Sequence, residues 1–475
     1  MAVIETENVL TELLRQDLAA FSQRALRTLS PGSEYQDNWH IRAMCHALAK
    51  VADGQIRRLL ITVPPRHLKS HVASVCFPAW LLARDPTKRF ICVSYSSDLA
   101  ETFSMSTRTI VNQSWYKEMA QGMSFDPKRM TKDQLWTTKL GYRLATSVGG
   151  TLTGKGGDFL ILDDPTKAED GLSESARKAT ISWFKNTLSS RFENPKTVAI
   201  VVIAQRLHVD DLPGHLIEEG GWHHLNLPAE AWEHQQIDIA PGKFFFRKPG
   251  DLLFPQRFGP EELDSARKAL GTASYEAQFN QRPTPAGGHM LHLKWFKTFE
   301  LPLKPSLIEA VYQSWDTALE TGDTNDYSVC TTWAVSGRKL YLLDVFRERL
   351  PFYALEKKVV ELKNKFKAKA VIVEKAGSGI SLFQNLRGMK GCQWVLSMPP
   401  HKDKVCRAAQ QTPKLENGTV YLPANAPWRP AFDAEVTSFP FGKHDDQIDS
   451  VMQFLLTLDY GRGHASFHDL SMYAG

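Results

Sequence analysis

The chain has 475 residues, with 57 Lys and Arg against 52 Asp and Glu (net charge +5), 43% hydrophobic and 23% charged. This is the balance of a folded protein of two or three domains; it excludes wholesale disorder and permits a polyanionic partner without proving one. Six cysteines lie far apart with no CxxC spacing, which argues against a zinc site or a disulfide framework. Apolar runs such as 198–204 are much shorter than the roughly 20 residues of a membrane helix. The polar, acidic stretch 1–10 has no leader pattern. A soluble protein of a reducing cytosol, with no membrane partner, is expected.

In chain order, 5–28 reads as one helix and 37–50 as a second, with Ile41, Met44, Cys45 and Leu48 on one face. Apolar β-type runs follow at 58–63, 90–95, 159–162 and 197–204, with helical stretches at 70–82 and 97–111 between the earlier ones. Short buried strands alternating with helices predict an α/β fold with a mainly parallel sheet. RPTPAGGH (282–289) gathers two prolines and two glycines and is the best linker candidate. Beyond it the pattern restarts with strands at 307–315, 329–335, 340–345 and 370–373 and a helix over 353–366. The expected division is a first domain over 1–285, a linker over 286–305, a second α/β domain over 306–462 and a tail over 463–475.

The segment 57–82 runs strand, loop, apolar helix, and Lys69-Ser70 falls where loop meets helix. That placement suits a phosphate-binding loop: backbone N–H groups and a helix start cradle phosphates, Lys reaches the β/γ oxygens and the hydroxyl binds Mg²⁺. The glycines of GxxxxGK[ST] are missing, however, since Val63 and Leu68 stand in their places. GGTLTGKG (149–156) satisfies GxxxxGK but leads into a strand, so it is not the primary nucleotide site. FLILDDP (159–165) is an apolar strand ending in two carboxylates, with Asp163 expected in the Mg²⁺ shell and Asp164 polarising the attacking water. A third strand ends in Gln205-Arg206, where a polar group can sense a γ-phosphate.

The second half holds three sources of carboxylates. Asp316 ends the run in QSWDTA, Glu374 ends VIVE before a Gly-rich turn, and Asp445, Asp446 and Asp449 open an apolar helix. Residues 446 and 449 share a helical face. Meeting at one sheet edge, these hard oxygen ligands suit Mg²⁺ or Mn²⁺ and a two-ion phosphodiester displacement. The lysine-rich stretch 356–370 fits a DNA groove, although such a run is more often a solvated helix face.

Taken in order, VPPRHLKS, LDDP, AQRLHVDDLPG, SYEAQFNQRP, SWDTA and HDDQIDS resemble the large terminase subunit of tailed bacteriophages and prophages. The resemblance implies an ASCE-type P-loop ATPase followed by an RNase H-like nuclease, with ATP and Mg²⁺ (Mn²⁺ at the nuclease site) as cofactors. It further implies double-stranded DNA, a small terminase subunit and a portal protein as partners, a homo-oligomeric ring, and the bacterial host cytoplasm. By the same resemblance Lys69 and Ser70 take the Walker A roles. Arg66, as a phosphate-contacting arginine, and His67 join the nucleotide set, with Gln36 the nearest candidate for adenine contact. Asp163 holds Mg²⁺, Asp164 is the general base, and Lys155 in the GKG loop becomes a finger reaching a neighbouring subunit. Asp316, Glu374 and the Asp445/Asp446/Asp449 group bind the nuclease metals, with Asp446 counted among the catalytic acids. Two other readings compete: a DNA nuclease or recombinase without ATP-driven translocation, and a catalytically dead assembly protein.

Overall fold

The structure is a computed structural model that describes all residues except 1, 151–153, 188–190, 284–289, 318–326, 390, 400–402, 443 and 463–475; side chains of 2–8 and 460–462 are also left aside. Two compact units divide the chain: Met1–Arg267 with Thr272–Pro285, and Ala286–Gly475 with Lys268–Gly271. The expected tail, 286–289 of the expected linker and the last two residues of the expected first domain lie outside the described residues. Among the described residues no helix is long and apolar enough to cross a membrane.

The front unit is built on eight strands: β1 (Arg58–Thr62), β2 (Arg89–Ser94), β3 (Phe125–Met130), β4 (Gln134–Thr137), β5 (Tyr142–Ser147), β6 (Phe159–Asp163), β7 (Ala199–Ala204) and β8 (His223–Asn226). Their order is β3-β4-β5-β2-β6-β7-β1-β8. All neighbours from β5 to β8 run parallel, and β3, β4 and β5 form an antiparallel edge. The reason lies in the side chains. AIVVIA in β7 and FLILD in β6 are buried at every position, as strands covered on both faces must be. β4, QLWT, alternates half-buried with buried residues, as an antiparallel strand with one face nearer solvent does. A hairpin, β9 (Gln235–Ala240) and β10 (Lys243–Arg247), completes the strands of this unit.

Two helical expectations need correction. The single helix over 5–28 is two helices, Ala2–Gln16 and Leu18–Leu29, because the Asp17 carboxylate accepts from Ala19 N and Ala20 N and starts a new helix. The helix after Lys69 opens with a π-type turn, His71–Cys76, before the α-helix Phe77–Arg84. Pro78 has no N–H to donate to the Ser74 carbonyl one turn back, and the Arg143 side chain donates to that carbonyl instead, at 2.9 Å.

The rear unit is a seven-stranded mixed sheet: β11 (Lys297–Phe299), β12 (Ala310–Asp316), β13 (Ser328–Ser336), β14 (Lys339–Glu348), β15 (Ala370–Glu374), β16 (Val395–Met398) and β17 (Val420–Pro423). The order is β11-β17-β14-β13-β12-β15-β16, with β12, β13 and β14 an antiparallel meander and β15 and β16 parallel to β12. β11 falls within the stretch expected to be linker and pairs in parallel with β17. Three residues, KTF, are too short to show a period. One face of the sheet packs Tyr312 and Trp333 against Val451, Phe454 and Leu455 of the helix Asp446–Arg462, with Trp333 and Phe454 stacked at 4.7 Å. The other buries Trp315 and Val373 under the helices Phe352–Lys365 and Ser378–Gly388.

Candidate functional sites

At the front, β7 lies between β1 and β6, so the loop after β1 and the acidic end of β6 flank the end of β7. Lys69, 5% exposed, places its Nζ 2.8 Å from Asp164. Ser70 Oγ donates to Asp163 at 3.0 Å, and Ser74 Oγ donates to the other oxygen of that carboxylate at 2.7 Å. Burial, then the adjacent Asp164 carboxylate, pushes Asp163 up to about 7, while Ser74 and Lys69 pull it back. The backbone N–H of Gln205 donates to Asp164 at 3.1 Å, and Gln205 Oε1 is buried with no hydrogen-bond partner. An open cleft of about 690 Å³ is lined by Arg66, Lys69, Ser70, Tyr95, Asp164 and Gln205, with Arg257 also on its wall. That volume is within the range of small-molecule sites.

The missing glycines have a structural counterpart. Arg66 and Leu68 take φ 62° and 61°, and Asp164 takes φ 43°, all left-handed. The loop therefore holds the backbone conformation that glycine favours, at about 1–2 kcal/mol for each such residue. Leu68→Gly is expected to keep nucleotide affinity within about threefold, because the loop already has that conformation. Leu68→Val puts a β-branched residue where it fits poorly and is expected to lower affinity about tenfold. Calorimetric titration with a non-hydrolysable nucleotide checks both.

Two expected nucleotide contacts are not brought to the cleft. Gln36 is exposed outside its lining. The His67 ring is buried against His40, Phe254 and Phe258, and its Nδ1 lies 2.8 Å from Pro65 O. Burial pushes it down to about 4, so it is a neutral packing residue beneath the loop. Lys155 donates to Gln134 Oε1 of its own chain at 2.8 Å; residues 151–153 of its loop lie outside the described residues. Arg206 is turned away from the cleft into a clasp on Asp211, which also accepts from Leu207 N, His208 N and Gly214 N. Sequence reasoning missed Ser74 and Arg143. Ser74 is one helical turn beyond Ser70, and fully buried Arg143 donates to the Ser74 carbonyl at 2.9 Å.

At the rear, Asp316 ends β12 and Glu374 ends the adjacent parallel strand β15. The helix Asp446–Arg462 is fastened beside β12: Ser450 Oγ donates to Ser314 O at 2.8 Å and Gln453 Nε2 to Trp315 O at 3.4 Å. Asp446, Asp449, Ser450 and Gln453 share one face, so the bonds that anchor the helix also aim its acids. Burial, then Asp449, Asp446 and Glu374 in that order, pushes Asp316 well above the carboxylate range. Burial lifts Asp449 to about 6 against the pull of Arg407. This mutual repulsion places the acids in one another's field, and a set of hard oxygen donors fits a divalent cation.

Yet among the described residues no three His, Cys, Asp or Glu side chains are drawn together to hold an ion. The expected metal set Asp316, Glu374, Asp445, Asp446 and Asp449 is therefore adjacent without being converged, and the physical reason is cations. Arg407 bonds Glu374 at 3.1 Å and Asp449 at 3.0 Å, Lys404 pairs with Asp445, and Arg347 is 3.6 Å from Asp446. Sequence reasoning missed these cations and Glu435, whose carboxylate accepts from Gln447 N at 2.7 Å and Ile448 N at 3.0 Å at the helix start. Glu435→Ala strips a capping acceptor and leaves three buried donors unpaired, Gln447 N, Ile448 N and Gln447 Nε2. It is expected to destabilise the chain by about 1–3 kcal/mol in urea unfolding.

Residues 313–458 match the family model for the terminase RNase H-like domain. The rear unit is a terminase RNase H-like domain. The matched span of the terminase model contains Asp316, Glu374 and all three acids of the helix start. The large terminase of a thermophilic bacteriophage, in complex with ADP, superposes with TM-score 0.53 at 12% identity, covering 87% of this chain and 99% of that one. A second crystal form of the same phage terminase gives TM-score 0.54 at 12% identity, covering 86% and 98%. At such identities the likeness concerns fold alone, the two-domain α/β fold of a phage large terminase. No curated protein sequence matches the chain.

Proposed function

We propose that the chain is a DNA-packaging motor subunit that hydrolyses ATP to move double-stranded DNA into a procapsid and cuts concatemeric DNA with a metal-dependent endonuclease. One observation carries the reading: a Lys-Ser loop bonded to paired strand-end carboxylates in the front unit, and a separate field of acids in the terminase RNase H-like unit. Working as a homo-oligomeric ring with a small terminase subunit and a portal protein, in the host cytoplasm, completes the proposal.

In this reading Lys69 leaves Asp164 for the β/γ oxygens of ATP, with Arg66 reaching the phosphates from the cleft wall. Ser70 and Asp163 are the residues to hold Mg²⁺, which neutralises phosphate charge when bound. The released Asp164 then accepts the proton of the attacking water, and Gln205 Oε1 beside it is available to orient that water. Binding and chemistry are thereby linked through a single ion pair. At the rear, Asp316, Glu374, Asp446 and Asp449 are the residues to hold divalent ions, which supply Lewis acidity and a hydroxide nucleophile when bound. Asp445 sits one residue ahead, tied to Lys404.

The test is a pair of assays on the full chain. ATP hydrolysis is expected to rise with added double-stranded DNA, and Mn²⁺-dependent cleavage is expected to proceed without nucleotide. Calorimetry showing no nucleotide affinity would leave the nuclease-only reading in its place.

A further inference from the structure

Arg407 stands inside the rear acid field. It belongs to the helix Lys404–Glu416, whose start is fixed by the Asp403 carboxylate accepting from Val405 N and Cys406 N. Residues 404 and 407 are one turn apart, so the same helix face presents Lys404 to Asp445 and Arg407 to the deeper acids. The guanidinium side chain is 8% exposed. Nη1 donates to Glu374 at the end of β15 and Nη2 to Asp449 on the facing helix, 3.1 and 3.0 Å away, while the buried Nε has no hydrogen-bond partner. Among the described residues no cation lies within ion-pair distance of Asp316, the third acid of that group.

A planar guanidinium spanning two carboxylates supplies the neutralising charge that a metal ion between them would supply. Both cannot share that space: a divalent ion needs its oxygens at about 2.0–2.6 Å, whereas Arg407 engages both acids itself. We propose that Arg407 is the internal counter-ion of the metal-free nuclease centre, and that a divalent cation gains Glu374 and Asp449 only as the guanidinium leaves them. Arg407 is a positioning residue in this scheme. It keeps a crowded acid field folded without metal, and it makes metal affinity a competition between the bound ion and a tethered cation. The inference rests on the reading of the rear unit as a metal-dependent nuclease.

The experiment is a Mn²⁺ titration of the full chain, without nucleotide, followed by electron paramagnetic resonance. Thermal unfolding in EDTA and in Mn²⁺ runs beside it. Asp316→Asn defines the part of the signal that belongs to the rear centre. Arg407→Gln is expected to bind Mn²⁺ at that centre at least about tenfold more tightly than the wild type, to unfold earlier in EDTA and to gain more from Mn²⁺. Arg407→Lys keeps a cation that cannot span both acids, so it is expected to fall between the two and to remain folded in EDTA if Arg407→Gln does not. Unchanged or weaker Mn²⁺ binding in both variants, with the signal still lost in Asp316→Asn, overturns the proposal and leaves the nuclease reading standing. Absence of Mn²⁺ binding in every variant overturns both.

Discussion

Lys69→Ala is expected to lower DNA-stimulated ATP hydrolysis by about 10²–10³-fold, the usual cost of removing one preorganised charge from a transition state. Mn²⁺-dependent cleavage is expected to be unchanged. The size follows from position. Lys69 is almost fully enclosed and pairs with Asp164 at 2.8 Å, so its charge is held at one place in the cleft. A second consequence follows from the adjacent acids. Asp163 is held near 7 by burial and by Asp164, with Lys69 among the groups opposing the shift. Removing the ammonium leaves both carboxylates facing each other, so the nucleotide-free variant is expected to melt earlier than the wild type. Lys69→Met, which restores the stem but not the charge, is expected to lose the same activity. Steady-state hydrolysis, calorimetric nucleotide titration and DNA nicking on the same preparations separate these effects. Equal loss of both activities in a folded variant would remove the two-centre picture.

Much of this was legible because the signals are local. Apolar runs fully buried on both faces, such as 199–204, read as central parallel strands, and a carboxylate at such a run's end marks the sheet edge where a site forms. Asp163, Asp316 and Glu374 belong to that class. Leu68 shows the limit of motif reading. The sequence shows that glycine is absent, whereas only the backbone shows that leucine holds a left-handed φ of 61° in its place. His67 shows the opposite error: it stands beside the lysine in sequence, but the left-handed residues on either side turn its ring under the loop. Gln36 was placed by analogy, with no period or partner to orient it. Arg143, Glu435 and Arg407 had no local signal at all. Each acts on a residue 12 to 69 positions away, and a buried Arg or Glu looks in sequence like any solvated charge.

Asp316→Asn is expected to abolish metal-dependent cleavage, by about 10³-fold or more if the carboxylate holds a catalytic ion, while ATP hydrolysis persists. It is also expected to make the metal-free chain more stable. Asp316 is pushed well above 3.8 by burial and by three neighbouring carboxylates, and only Arg407 opposes them among the causes that shift it. A carboxyl raised in the folded state costs stability when it is charged. The cost is absent below the unfolded value, grows as pH rises through the interval between the two, and is fully present above the folded value. The melting advantage of Asp316→Asn over wild type in EDTA should therefore grow as pH rises and shrink as pH falls toward the ordinary carboxylate range. A gain of 1 kcal/mol corresponds to about 2–4 °C for a domain of this size. In saturating Mn²⁺ the order should reverse, because an ion bound only by the folded wild type stabilises it by mass action. That crossing of the two melting curves follows from the acids, their Arg407 counter-ion and the ion together. It distinguishes a site built to be incomplete without metal from a group of carboxylates that merely happen to be close.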